Sequence, residues 1–205
     1  VVAAGKTGKL LLAYICGGEL SMWGFGLLGF IMLQRLAELA LSKSNARWLL
    51  AHGARLIEND RMRWFTFLHS CFLLALLSEY ILTRSYDLPL AQWPLIALLC
   101  AQALRYWSIA TLGRRWNVRV YILPDAQLIT RGPYRFLRHP NYLAVTTELI
   151  ALPLCLHAYL TCIVFSAASA FLQSQRVRVE EQALRETANY STMASRPRGV
   201  FARTR

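Results

Sequence analysis

The sequence predicts an all-α integral membrane protein of about five transmembrane helices, the last two forming a helical hairpin. Three observations carry that prediction. Hydrophobic residues make up 56% of the 205 residues and charged residues 17%, with a mean hydropathy of +0.34. A soluble domain carries about 25% charge. Residues 20–34, 64–78, 88–104 and 149–175 hold no Asp, Glu, Lys or Arg. Finally, 23 Lys and Arg stand against 11 Asp and Glu, a net charge of +12, and the cations alternate with the apolar runs.

Each element follows in order. A span needs about 20 mostly apolar residues. The expected spans are 20–41, 64–81, 93–112, 142–156 and 157–175, within one domain covering 1–205. Residues 1–19 place Lys6 and Lys9 ahead of an apolar run, as a signal peptide does, with no clear small-x-small cleavage site. The fourth span is short, and Pro153 with the stretch 154–159 turns it back toward the fifth. Loop cations number five, one, six, zero and seven along the chain. That alternation follows the positive-inside rule. It predicts a multi-pass protein of the inner, cytoplasmic membrane if bacterial, with a cytoplasmic C-terminus and an outer N-terminus.

Trp23, Trp64, Trp93, Trp107 and Trp116 fall near expected span ends, where interfacial anchors belong. Charges inside spans are costly and need partners. Arg35 and Glu38 lie three apart and can pair on one helix. Arg105 is expected to meet Glu79 from the neighbouring span, or else to line a polar cavity. His69 and His157 are isolated on different helices and make no metal set. The five cysteines show no CxxC spacing and read as small buried hydrophobes. Nucleic acid is excluded as a partner, because the positive charge follows topology rather than one soluble face.

Two pieces of chain carry chemistry. Residues 117–142 read NVRVYILPDAQLITRGPYRFLRHPNY. Alternation at 118–122 and the Gly132-Pro133 break predict extended chain and a turn. Pro140 suits a first helical turn. His139 and free backbone N–H groups then sit at a helix N-terminus on the cytoplasmic face, an end that attracts carboxylate or phosphate. The second piece, 176–184, reads RVRVEEQAL, and Arg176 and Glu180 share a helix face. The hairpin returns both pieces to one membrane surface. One pocket then collects Tyr134, His139, Tyr142, Arg176 and Glu180. Taken singly, the pieces read as a basic stop signal and a solvated helix exit; together, flanking one hairpin, they read as a site.

The run from Gly132-Pro133-Tyr134 to Arg138-His139-Pro140-Asn141-Tyr142, then an apolar hairpin, then Arg176-x-x-x-Glu180-Glu181-x-x-Leu184, resembles the isoprenylcysteine carboxyl methyltransferase family. That family lies in a membrane superfamily with phospholipid methyltransferases. The resemblance covers 112–190. It implies an integral membrane enzyme using S-adenosylmethionine in a cytoplasmic pocket without a Rossmann domain, in keeping with the missing GxGxxG. It implies that His139, Pro140, Asn141 and Tyr142 form the cofactor-binding core, joined by Tyr134. Ala126, Gln127, Leu128 and Ile129 match a segment that cradles the nucleoside through backbone. Glu180 matches a cofactor-binding glutamate and Arg176 a substrate-binding arginine, and these two are the expected catalytic residues. Arg119 aligns where eukaryotic relatives hold a cofactor-contacting glutamine.

The expected reaction is methyl transfer to a carboxylate or acidic hydroxyl of a lipophilic acceptor, a prenylcysteine-like molecule or a lipid. No metal is expected. A carboxylate is already ionised at pH 7 and needs no general base. Two other classes stay open from sequence: a non-catalytic membrane transporter or assembly protein, and a nicotinamide-dependent membrane reductase of similar fold.

Overall fold

The computed structural model describes the backbone of residues 4–57, 61–124, 126 and 129–185, with side chains from residue 22 onward except 61–63 and 183–185. Within that range the fold is helical. The helices are α1 (Ala4–Ala51), α2 (Arg61–Leu82), α3 (Gln92–Leu112), α4 (Pro140–Cys155) and α5 (Tyr159–Arg185). Residues 4–19 are the start of α1, continuous with the rest of that helix. A two-residue antiparallel pair, β1 (Arg55–Leu56) and β2 (Tyr121–Ile122), sets Arg55 opposite Ile122 and Leu56 opposite Tyr121.

Five spans were expected; among the described residues, three helices are long and apolar enough to cross a membrane. They are Met22–Ala51, Trp64–Leu82 and Gln92–Arg115. The reason is length for α4 and composition for α5. Sixteen residues of α4 reach about 24 Å, short of a core of about 30 Å. The apolar start of α5 gives way to Gln173, Gln175, Arg176, Arg178, Glu180 and Glu181. Instead of facing lipid all round, α4 inserts into protein: Ala144, Val145, Leu149, Ala151, Leu152 and Cys155 are buried. It packs between α3 and α5, and α5 in turn packs on α2. The expected turn is present, since Ala158 N–H donates to the Pro153 carbonyl at 2.9 Å and α5 begins at Tyr159.

The core gathers Ile31, Phe72, Leu76, Tyr80, Leu98, Leu149, Leu152 and Leu156. The first two spans touch near one end, where a Cβ on Gly24 would lie 1.9 Å from the Tyr80 hydroxyl. Phe25 and Tyr80 meet edge to face there, with centroids 5.3 Å apart. At the other end α1 is bound to α3 and the chain after it. Asn45 Nδ2 donates to the Trp116 carbonyl at 2.7 Å, and Asn117 Nδ2 donates to the Ser42 carbonyl at 2.8 Å. That grip buries Trp116 between elements, so it is not the interfacial anchor expected of it.

Arg105 does not meet Glu79. Counted from the shared ends of α2 and α3, the two lie about 15 Å apart in depth. The Glu79 carboxylate instead accepts the N–H groups of Leu160 at 2.9 Å and Thr161 at 2.7 Å, at the start of α5. Free N–H groups at a helix start favour such an acid. Arg105 enters a buried ring of four charges. It approaches Glu38 at 3.3 Å and Glu148 at 3.7 Å, while Arg35 pairs with Glu38 at 2.6 Å and with Glu148. The Arg35–Glu38 pair is the one expected from spacing. Two cations against two acids leave the ring neutral, which is how charge persists in an apolar interior.

Candidate active site

The site forms where the chain re-enters the bundle at Pro140 and leaves it along α5. Gly132 makes the entry possible. Its φ is +59°, and a Cβ there would lie 2.4 Å from Thr111 Oγ1 on α3. A side chain is excluded by both backbone and space. The following turn (Gly132–Arg135) buries Pro133 and sets Tyr134 beside Ser108 of α3. His139 then sits at the N-cap of α4 with Pro140 as its first residue.

Four predicted residues converge. The Tyr142 hydroxyl donates to Glu180 Oε2 at 2.6 Å. The Arg176 guanidinium lies 5.4 Å from the Tyr142 ring centre, and the His139 ring lies 5.4 Å from the same ring. Tyr134 is close enough for the Glu180 charge to act on it. Burial pushes the hydroxyl pKa of both tyrosines up, and the negative Glu180 pushes them further in the same direction. Both therefore stay protonated donors at neutral pH.

The surroundings fix this arrangement. Arg176 donates to the Val118 carbonyl, and its cation also lies 5.4 Å from the Phe65 ring. Glu181 lies 3.6 Å from His139 Nε2 and 3.5 Å from Arg138. One turn deeper, Thr146 donates to Gln173 Oε1 at 3.0 Å and Gln173 donates to Ser169 at 2.9 Å. Those bonds hold α4 against α5.

The donor set fits a zwitterionic nucleoside cofactor. Asn141 Oδ1 and Arg176 Nε are buried and have no hydrogen-bond partner among the described residues. A buried polar atom without a partner is costly, and a bound ligand removes that cost. Tyrosine faces accept a sulfonium, the Glu180 carboxylate accepts ammonium or hydroxyl donors, and Arg176 can hold an anion. Among the described residues no three His, Cys, Asp or Glu side chains converge as metal ligands.

The family model for isoprenylcysteine carboxyl methyltransferases matches residues 94–186, a stretch running from α3 to the end of α5. An uncharacterized protein of Bacillus subtilis (strain 168), YpbQ, is 34% identical over 162 residues, covering 78% of this chain and 95% of that protein. The chain belongs to the isoprenylcysteine carboxyl methyltransferase family. An uncharacterized protein of Haemophilus influenzae is 28% identical over 155 residues, covering 75% of this chain and 90% of its own. The matched stretch contains both chemical pieces and the hairpin joining them, so this is a membrane protein of a methyltransferase family.

Other predicted residues fall elsewhere or out of view. Ala126 and Ile129 are half-buried on the segment after β2, while Gln127 and Leu128 lie outside the described residues. Arg119 lines a separate cavity between α1 and α2. Sequence reasoning missed Phe65, Glu148 and the role of Glu181. Phe65 is one aromatic in an apolar run and carries no signal. Glu148 does carry one: an acid inside an apolar helix must find a cation.

Proposed function

We propose that this protein transfers a methyl group from S-adenosylmethionine to a carboxylate or acidic hydroxyl of a lipophilic acceptor. The observation that carries the reading is the Arg176–Tyr142–Glu180 constellation, a cation and a carboxylate joined through one aromatic ring at the hairpin's end. The cytoplasmic side is the one we assign to this end, from the loop cations. His139, Asn141, Tyr142, Tyr134 and Glu180 would hold the cofactor, with Ala126 and Ile129 beside it.

S-adenosylmethionine, when bound, would supply an electrophilic methyl group to the acceptor oxygen and depart as the neutral thioether. The protein's own work is positioning and exclusion of water. Glu180 is fixed by the Tyr142 hydroxyl, so its carboxylate keeps one orientation. Arg176 is fixed by the Val118 carbonyl and flanked by the Phe65 and Tyr142 rings, which leaves its Nε edge for the acceptor anion. An acceptor that is already ionised has no proton to lose, and no general base is needed.

Calorimetric titration of the full chain in detergent tests this reading. S-adenosylhomocysteine should bind saturably, Glu180→Gln should weaken it about tenfold or more, and Arg176→Ala should leave it within about threefold while impairing acceptor use. NADPH should not compete. A folded protein that binds NADPH and ignores S-adenosylhomocysteine would sink the proposal in favour of a reductase.

A further inference from the structure

A cavity of about 970 Å³ opens between α1 and α2, with Val118, whose carbonyl accepts from Arg176, in its lining. The two spans meet near Gly24 and Tyr80 and part toward their other ends, where the cavity lies. Three cations line it, Lys43, Arg47 and Arg119, and no acid does among the described residues. The cations have an order. Leu39, Lys43 and Arg47 follow one another along one face of α1, so apolar surface lies about 12 Å deeper than the outermost cation. Phe67 on α2 adds exposed apolar wall.

The floor is built rather than incidental. Ser42 Oγ donates to Asn117 Oδ1 at 3.0 Å and accepts from Val118 N–H at 3.1 Å. Asn117 Oδ1 also accepts from Arg119 N–H at 2.9 Å. The stretch carrying Arg119 is thereby locked to the α1 face that carries Lys43. Below Arg119, the Ile57 N–H donates to the Val120 carbonyl at 3.0 Å and the β1–β2 pair ties the two loops together. A cationic mouth above an apolar cleft, with fixed walls, matches an amphiphile with an anionic head.

We propose that this cavity binds the phosphate headgroup of an anionic glycerophospholipid, with Lys43, Arg47 and Arg119 on the phosphate and the acyl chains in the cleft past Leu39 and Phe67. Phosphate is the chemistry, because three cations and the hydroxyls of Thr66, Ser70 and Tyr121 line the cavity, with no acid among its described lining residues. Lipid is the source, because the cavity continues into apolar surface. None of Tyr134, His139, Tyr142, Arg176 and Glu180 lines it, so the proposal does not depend on the methyl-transfer reading. Val118 links the two regions, since its N–H donates to Ser42 Oγ in the cavity lining and its carbonyl accepts from Arg176.

Native mass spectrometry of the full chain, released from detergent containing dioleoyl phosphatidylglycerol or dioleoyl phosphatidylcholine, reads the proposal directly. The glycerol lipid should be retained and the choline lipid lost. Lys43→Gln with Arg47→Gln should cut retention about tenfold or more. Lys43→Arg with Arg47→Lys should keep it, which separates charge from folding. Arg131→Gln with Arg135→Gln removes two cations outside the cavity and should leave retention unchanged. Equal retention of both lipids, or equal loss in both Gln pairs, would overturn the site. Displacement of the lipid by millimolar inorganic phosphate would assign the cations to a soluble ligand and overturn the lipid reading.

Discussion

Tyr142 joins the two halves of the site, since its hydroxyl holds Glu180 and its ring faces Arg176 and His139. Tyr142→Phe keeps the ring and removes the donor. A hydrogen bond to a charged acceptor contributes about 1.5–3 kcal/mol, so S-adenosylhomocysteine affinity should fall by about 10-fold to 150-fold. Titration calorimetry on the variant checks it, and an unchanged affinity would show that Glu180 needs no orientation. The pH dependence has a definite sign. Tyr134 and Tyr142 have hydroxyl pKa values raised above the ordinary value of about 10. The unfolded chain therefore loses these protons first. Their contribution to stability is complete below pH 10 and falls as pH rises above it. In alkaline thermal melts Tyr142→Phe should flatten that fall. At this scale the motif residues were legible because they are locally contiguous around His139 and in register along α5. Phe65 was not, because its place beside Arg176 is set by how α2 packs, not by any neighbour in sequence.

Elements were legible where apolar length alone defines them, and less so where packing does. Charge-free length places α2 and α3 to within a few residues but stops α1 too soon, at 41, whereas the helix runs on to Ala51 and carries Lys43 and Arg47. The same criteria overcount α4, because a helix buried in protein is as apolar as one buried in lipid, and α5, because its apolar start runs on into a polar, charged second half. The two linkages that set α4 in place give opposite kinds of test. Gly132→Ala introduces a side chain at positive φ against Thr111. It should lower stability by on the order of 2 kcal/mol and weaken cofactor binding through Tyr134, read by melting temperature and calorimetry together. The charge ring behaves differently. Arg105→Leu alone strands Glu38 and Glu148 beside a single Arg35, at a cost of about 3–5 kcal/mol. Replacing all four, Arg35, Glu38, Arg105 and Glu148, by Leu or Met should be less damaging than the single change, since no charge is left uncompensated. Detergent melts of the two variants decide it; a quadruple variant worse than the single one would mean that the ring selects the helix register rather than merely tolerating burial.

The whole molecule is organised by which ends face which side. Because α4 enters the bundle and α5 leaves it at the same surface, the hairpin does not change sides, and the orientation argument survives the correction from five spans to three. The loop after α1, the loop after α3 and the exit of α5 should all lie on one face, and the α2–α3 connection on the other. From the cation counts we propose that the first face is cytoplasmic. In a cysteine-free background, Arg114→Cys and Arg55→Cys should resist an impermeant maleimide in intact cells and react after permeabilisation. Arg84→Cys should react in intact cells. Labelling of Arg114→Cys from outside would invert the assignment, moving both the Arg176 pocket and the Lys43–Arg47 cavity away from the cytosolic cofactor pool. Labelling of Arg55→Cys and Arg114→Cys from opposite sides would be a stronger failure, because the β1–β2 pair requires those two loops to touch.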